Sequence, residues 1–136
     1  MNISNLTERV LEAKKVLLIG NGGSHANSIH IANDLLSVGI KAFTLDAATL
    51  TATANDHGYE YVFSRWIATV GEKGDLLIAL SGSGKSKNIL NAVAEAERIG
   101  MDVHCEFGAA QGLDMQTSEE RQIWLGHELR RALDRR

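Results

Sequence analysis

Two short glycine–serine stretches carry the residue types that bind anions. Gly20-Asn21-Gly22-Gly23-Ser24 follows the apolar run Val16-Leu17-Leu18-Ile19, and Ser81-Gly82-Ser83-Gly84-Lys85-Ser86 follows Leu76-Leu77-Ile78-Ala79-Leu80. Glycines let a backbone approach a ligand closely, and a helix start presents unpaired N–H groups at its positive dipole end. A buried strand that passes through such a turn into a helix is therefore an anion site, and two of them in one small domain point to a phosphorylated small molecule. In the second turn the hydroxyls of Ser81, Ser83 and Ser86 can donate to the phosphate that the turn N–H groups bind. A serine-rich helix cap without a ligand explains one serine more readily than three around two glycines.

Groups able to move protons lie nearby. His30 and Asp34 share one face of a 3.6-residue helix, opposite Ile29, Ala32, Leu35 and Leu36, which are expected to pack on a sheet. That places His30 and Asp34 toward solvent or a neighbouring subunit. His127 is expected to point away from the apolar face Leu125, Leu129, Ala132 and Leu133 of the last helix. Moving a proton between adjacent carbons of a sugar phosphate through an enediol needs one group to remove it and another to serve the oxygen, and a carboxylate with an imidazole suffices. Taken alone, an exposed helical His–Asp pair contributes only about 0.2–0.5 kcal/mol. His25, beside the first turn, and His57, beside Asp56, read as neighbours of the site, while Trp66 and Trp124 read as packing residues.

The elements that must position these groups follow from the apolar pattern. Helices are expected over Leu6–Ala13, Ser24–Ser37, Tyr59–Val70, Lys87–Ile99 and Thr117–Asp134, the last capped by Thr117 with Glu120 or by Ser118. Strands are expected over Lys15–Ile19, Ala42–Leu45, Leu76–Leu80 and Val103–Phe107, with turns between Leu45 and His57. Repeated βα units with uninterrupted apolar strands give an α/β fold, a three-layer αβα sandwich on a parallel sheet. Its ligands bind beyond the carboxyl ends of the strands, where both turns fall. At 136 residues the chain reads as one domain over 1–136. A net charge of −3 without a basic stripe argues against a nucleic-acid partner. No apolar run approaches the roughly 20 residues of a membrane span, there is no signal-peptide pattern, and Cys105 is the one cysteine, so a cytoplasmic protein without a membrane partner is expected.

A nucleotide reading competes for the second turn. Ala79-Leu80-Ser81-Gly82-Ser83-Gly84-Lys85-Ser86 is one substitution from a P-loop, with Ala79 in place of the first glycine. A P-loop also needs a magnesium-binding aspartate after another strand, and the one candidate is Asp46, upstream after Phe43-Thr44-Leu45. This reading ranks below the sugar-phosphate one.

Gly20-Asn21-Gly22-Gly23-Ser24-His25 with His30 and Asp34, then Asn55-Asp56-His57-Gly58-Tyr59, Val62-Phe63-Ser64-Arg65 and Ser81-Gly82-Ser83-Gly84-Lys85-Ser86-Lys87-Asn88-Ile89, resembles the sugar isomerase (SIS) domain family. The likeness is greatest to its phosphoheptose isomerase branch and runs from about Lys15 to Gly100. The resemblance implies a flavodoxin-like parallel sheet flanked by helices, and a homo-oligomer, dimer or tetramer, with sites at subunit boundaries. It implies conversion of sedoheptulose 7-phosphate to D-glycero-D-manno-heptose 7-phosphate. By position, Ser81, Ser83 and Ser86 with the Gly82 and Gly84 backbone would hold the phosphate. Asn21 and Ser24, with Gly22 and Gly23, would contact the sugar chain, and Asp56 its hydroxyls. Asp34 would be the base, in place of the family's glutamate, and His127 the acid. Zinc, where members bind it, would sit on His30, Asp34, His127 and either Gln122 or Glu119, with no organic cofactor. Two positions depart from the branch: Asp34 is one methylene short, and Val38 stands where an arginine is usual. A non-catalytic SIS module that binds a sugar phosphate or docks a protein is the second function class.

Overall fold

A computed structural model describes residues 2–136. Its elements are α1 (Ile3–Glu12), β1 (Val16–Ile19), α2 (Gly23–Ser37), β2 (Ala42–Phe43), α3 (Ala47–His57), α4 (Val62–Val70), β3 (Leu76–Ser81), α5 (Lys87–Ile99), β4 (Asp102–Phe107) and α6 (Met115–Asp134), with 3-10 turns at Tyr59–Tyr61 and Gly108–Gln111. All pairings are parallel in the order β2-β1-β3-β4, with Val16 to Ile19 beside Leu76 to Ala79. The two strands that end in the glycine–serine turns are thus neighbours. Their following helices leave to opposite faces, which makes the gap between them the switch point of the sheet.

The pleat sorts the core into two layers. Val16, Leu18, Leu76, Ile78 and Leu80 face α1, α2 and α6, while Leu17, Ile19, Leu77 and Ala79 face α4 and α5. Both faces are covered, which is why the strands are apolar without alternation. Each fully buried Leu or Ile contributes about 1.5–3 kcal/mol relative to exposure. Among the described residues no helix is long and apolar enough to cross a membrane.

Four expectations are corrected. The stretch Asp46 to His57 is not a series of turns but contains helix α3. Asp46 accepts a hydrogen bond from the Thr49 N–H at 2.7 Å, and an N-cap of this kind before an alanine-rich run outweighs the turn tendency of its threonines. The last helix starts earlier than Thr117: Asp114 is its N-cap, accepting from the Thr117 N–H at 2.8 Å, while the Ser118 hydroxyl donates back to the Asp114 carbonyl. The apolar stripe of α2 is rotated, with Ile29 and Leu36 half exposed and Ile31, Ala32 and Leu35 buried. Finally, Asp34 does not face solvent but is 3% exposed. The last two share one cause, because α2 is covered by α6 as well as by the sheet.

That close approach depends on Gly126. A Cβ there would lie 2.6 Å from Cγ1 of Ile31, so only glycine lets α6 settle against α2. Since His127 follows Gly126 and His30 precedes Ile31, the contact that admits no side chain brings the two histidines together.

Candidate functional site

The site begins at the carboxyl ends of β1 and β3. Gly20 is required where β1 passes into α2, because a Cβ would fall 2.6 Å from the Ser24 backbone, and Gly22 adopts φ +55°. Across the switch point, the Gly84 N–H donates to Ser81 Oγ at 2.9 Å and the Lys85 N–H to Ser83 Oγ at 3.1 Å. Ser86 is the N-cap of α5 without a side-chain cap bond, which leaves its hydroxyl for a ligand. A cavity of about 70 Å3 is lined by Asn21, Ser24, Ser81, Gly82, Ser83 and Ser86. The fold therefore brings these six sequence candidates into one cradle at the head of α5.

The back of this cradle had no signal in the motifs. The Ala109 N–H donates to the Gly82 carbonyl at 2.8 Å, and the Met115 thioether lies where a Gly82 Cβ would be. Gly108 in turn has no room for a side chain against Ser118. The connection from β4 to α6 thus fixes the loop from behind.

Asn21 is held in a two-way amide pair. Its Nδ2 donates to Asn88 Oδ1 at 2.8 Å, Asn88 Nδ2 returns a bond to Asn21 Oδ1 at 2.9 Å, and the Tyr59 hydroxyl donates to the same oxygen. These residues, with Glu60, Ser86 and Lys87, line an open cavity of about 430 Å3 that shares Asn21 and Ser86 with the cradle.

Two turns along α2, His30, Asp34 and His127 form a cluster whose nitrogen and oxygen donors all lie within 4.8 Å of one another. The two Nε2 atoms are 3.2 Å apart, so one donates and the other accepts when a proton lies between them. Asp34 Oδ2 is 3.3 Å from His30 Nε2 and 4.0 Å from His127 Nε2. It is buried without a hydrogen-bond partner, while Oδ1 accepts from Arg130 Nη1 at 2.9 Å. A buried carboxylate oxygen left unpaired and turned toward two imidazoles is suited to taking a proton or to binding a cation. All three groups come from one chain, and His127 points away from the apolar face of α6 with its side chain 42% exposed.

The remaining candidates lie elsewhere. Gln122 is fully buried between α2 and α6, accepting from Asn27 at 2.8 Å and donating to Ser24 Oγ at 3.0 Å, so its amide is engaged. The Glu119 carboxylate lies directly over Gly23, which has no Cβ to obstruct it, and Glu119 is not part of the His30–Asp34–His127 cluster. Asp56 is exposed on α3 and accepts from Asn55, and it lines a separate groove with His57, Arg65 and Trp66. His25, next to the first turn, has its Nδ1 buried without a partner, and burial pushes its imidazole below the usual range. Asp46, the one aspartate offered for a nucleotide's magnesium, is committed to capping α3. Trp66 packs on the α4–α5 core layer as expected, whereas Trp124 is 43% exposed beneath the Arg121 guanidinium.

Known proteins share this fold. A family model described as the SIS domain matches residues 2–105. Phosphoheptose isomerase of Glaesserella parasuis is 41% identical over 114 residues, which cover 79% of this chain and 59% of that protein. The chain spans 49–59% of the length of the first curated relatives it matches. Among solved structures, phosphoheptose isomerase from Neisseria gonorrhoeae superposes with a TM-score of 0.87 at 27% identity, over 98% of this chain and 83% of the other. The corresponding enzyme from Francisella tularensis gives 0.89 at 28% identity, over 98% and 85%. The parallel sheet between helical layers is the fold of both.

Proposed function

The chain belongs to the SIS domain family, and from that premise we propose that it is an aldose–ketose isomerase that interconverts sedoheptulose 7-phosphate and D-glycero-D-manno-heptose 7-phosphate. One observation carries the reading beyond the family: α2 starts at the phosphate cradle and ends beside a carboxylate aimed at two imidazoles. Ser24 to His30 is six residues, or about 9 Å of axial rise, so a phosphate at the serines needs a polyol chain to reach the cluster.

In this reading Ser81, Ser83, Ser86 and the N–H groups at the head of α5 hold the phosphate, and Asn21 and Ser24 orient the sugar chain. Asp34 Oδ2 removes the proton from the carbon beside the carbonyl and returns it to the neighbouring carbon, while His127 serves the oxygen. His30, 3.2 Å from His127, orients that imidazole by a hydrogen bond between the two rings. The same three donor atoms fit a zinc ion, offering a three-ligand set with an open position and a buried oxygen that otherwise lacks a partner. When bound there, zinc would supply Lewis-acid polarisation of the sugar carbonyl. Asp56 contacts substrate hydroxyls only if the sugar reaches the α3 groove. A homo-oligomer accords with Ile29 and Leu36, half exposed on α2 on either side of His30 and Asp34. A cytoplasmic location accords with a substrate whose phosphate charge keeps it from crossing a membrane unaided.

The test is incubation with sedoheptulose 7-phosphate in deuterated water, with zinc and with chelator. Isomerisation and deuterium uptake at the carbon beside the carbonyl are expected. Turnover that survives chelation assigns Asp34 as the base, and turnover only with zinc assigns it as a ligand. Binding of the heptose phosphate with neither turnover nor exchange under either condition would refute the isomerase and leave the family's non-catalytic binding role.

A further inference from the structure

The Asp34 carboxylate has one oxygen that matters to the chemistry and one that does not, and something must choose between them. An aspartate's terminal torsion is broad and roughly two-fold, so the two oxygens exchange freely unless a neighbour distinguishes them. Arg130 is that neighbour, with Nη1 2.9 Å from Oδ1. Its guanidinium reaches no other acceptor within hydrogen-bond distance among the described residues, and Oδ2 is left with its lone pairs toward His30 and His127.

The register of α6 explains how one helix delivers both partners. His127 and Arg130 are three residues apart and lie on the same face, so the turn that places the imidazole near Oδ2 places the guanidinium on Oδ1. Neither residue could reach Asp34 without the close helix contact at Gly126. Arginine carries five donors and no acceptor and stays charged, so it cannot itself take up a proton.

We propose that Arg130 is a positioning residue that locks the Asp34 carboxylate so that Oδ2 is the oxygen offered to the substrate proton or the metal. The inference rests on the isomerase reading above and adds a residue to it. Arg130 acts through Asp34 and does not touch the sugar phosphate, so its removal lowers turnover without weakening substrate binding. A lysine there keeps the charge and one donor, and so retains part of the hold.

The experiment compares the unmodified protein with Arg130→Gln and Arg130→Lys, each checked by its melting temperature. The Arg130 side chain is 46% exposed and fills no core volume, so the melting temperature reads only the cost of leaving the buried Asp34 carboxylate without its partner. For sedoheptulose 7-phosphate, kcat of Arg130→Gln should fall about 10–100-fold, the usual cost of removing a residue that orients a ligand or base, with KM within about twofold. Zinc affinity, measured by titration without substrate, should fall by a comparable factor, and Arg130→Lys should lie between the two for both quantities. An unchanged kcat in Arg130→Gln, a raised KM with kcat preserved, or a lysine variant no better than glutamine would each overturn the proposal while leaving the isomerase standing. An unmodified protein without turnover would instead overturn the isomerase reading, and the role of Arg130 with it.

Discussion

The two glycine–serine turns are alike in sequence and in position, each ending a buried strand and starting a helix, yet they are opposites in the folded molecule. The first is occupied by the chain itself. Glu119 lies over Gly23, Gln122 donates to Ser24, and Asn88 and Tyr59 bond Asn21. The second presents hydroxyls whose bonds run only to its own backbone, over a cavity that Asn21 and Ser24 of the first turn help to wall. The Glu119 carboxylate lies at the head of α2, where the helix dipole favours the negative charge that a phosphate would otherwise bring. Sequence motif alone therefore does not identify an anion site; the partner helix that reaches it decides. In the proposed reading the β1–α2 unit serves chemistry and the β3–α5 unit serves anchoring.

The sharpest way to break this division is Asp34→Asn. Loss of a general base lowers turnover about 100- to 10,000-fold, and affinity for the sugar phosphate should stay within about twofold, because the anchor is in the other unit. A matching loss of affinity in a calorimetric titration would show that the units are not separate. The converse substitution, Ser83→Ala, removes a donor to a charged group and should weaken sugar-phosphate binding by about 1.5–3 kcal/mol, with kcat at saturation little changed. Equal affinity for the phosphorylated and unphosphorylated sugar would remove the second turn from the site.

Gly126→Ala tests the packing that unites the cluster. With Ile31 Cγ1 2.6 Å from the new Cβ, overpacking should cost about 1–3 kcal/mol in urea unfolding and lower kcat, while inorganic phosphate still binds at the serines. A variant as stable and as active as the original would mean that α2 and α6 can separate without consequence. The smallest effect is expected from Glu119→Gln, which removes the resident negative charge from the head of α2. Stability should drop by about 0.3–1 kcal/mol, with a modest rise in phosphate affinity that salt suppresses. A fall in phosphate affinity would show that Glu119 supports the anion site in place of competing with it.

Much of this was legible beforehand, for reasons that particular residues make plain. Val16 to Ile19 and Leu76 to Leu80 are apolar on both faces, which only a doubly covered parallel sheet explains, and the glycines after them marked the ligand end. Helix α3 is hidden in the sequence because Asp46, directly after an apolar run, resembles a strand end or a metal ligand, whereas its side chain is a cap. The burial of Asp34 has no local signal, because helical periodicity tells which residues share a face and not how many neighbours cover the helix. Arg130 had no signal at all, since an arginine near a C-terminus reads as a solvated charge.

The amino-acid sequence by itself determined the layers, the strand ends and the kinds of group available, because these depend on local periodicity and on backbone freedom at glycine. The tertiary structure alone decided which turn stays open, which oxygen of Asp34 is free, and that His30 and His127 meet within one chain. Each of those rests on α6 lying against α2 at Gly126, a contact between residues 95 positions apart (Ile31 and Gly126) that no local pattern encodes.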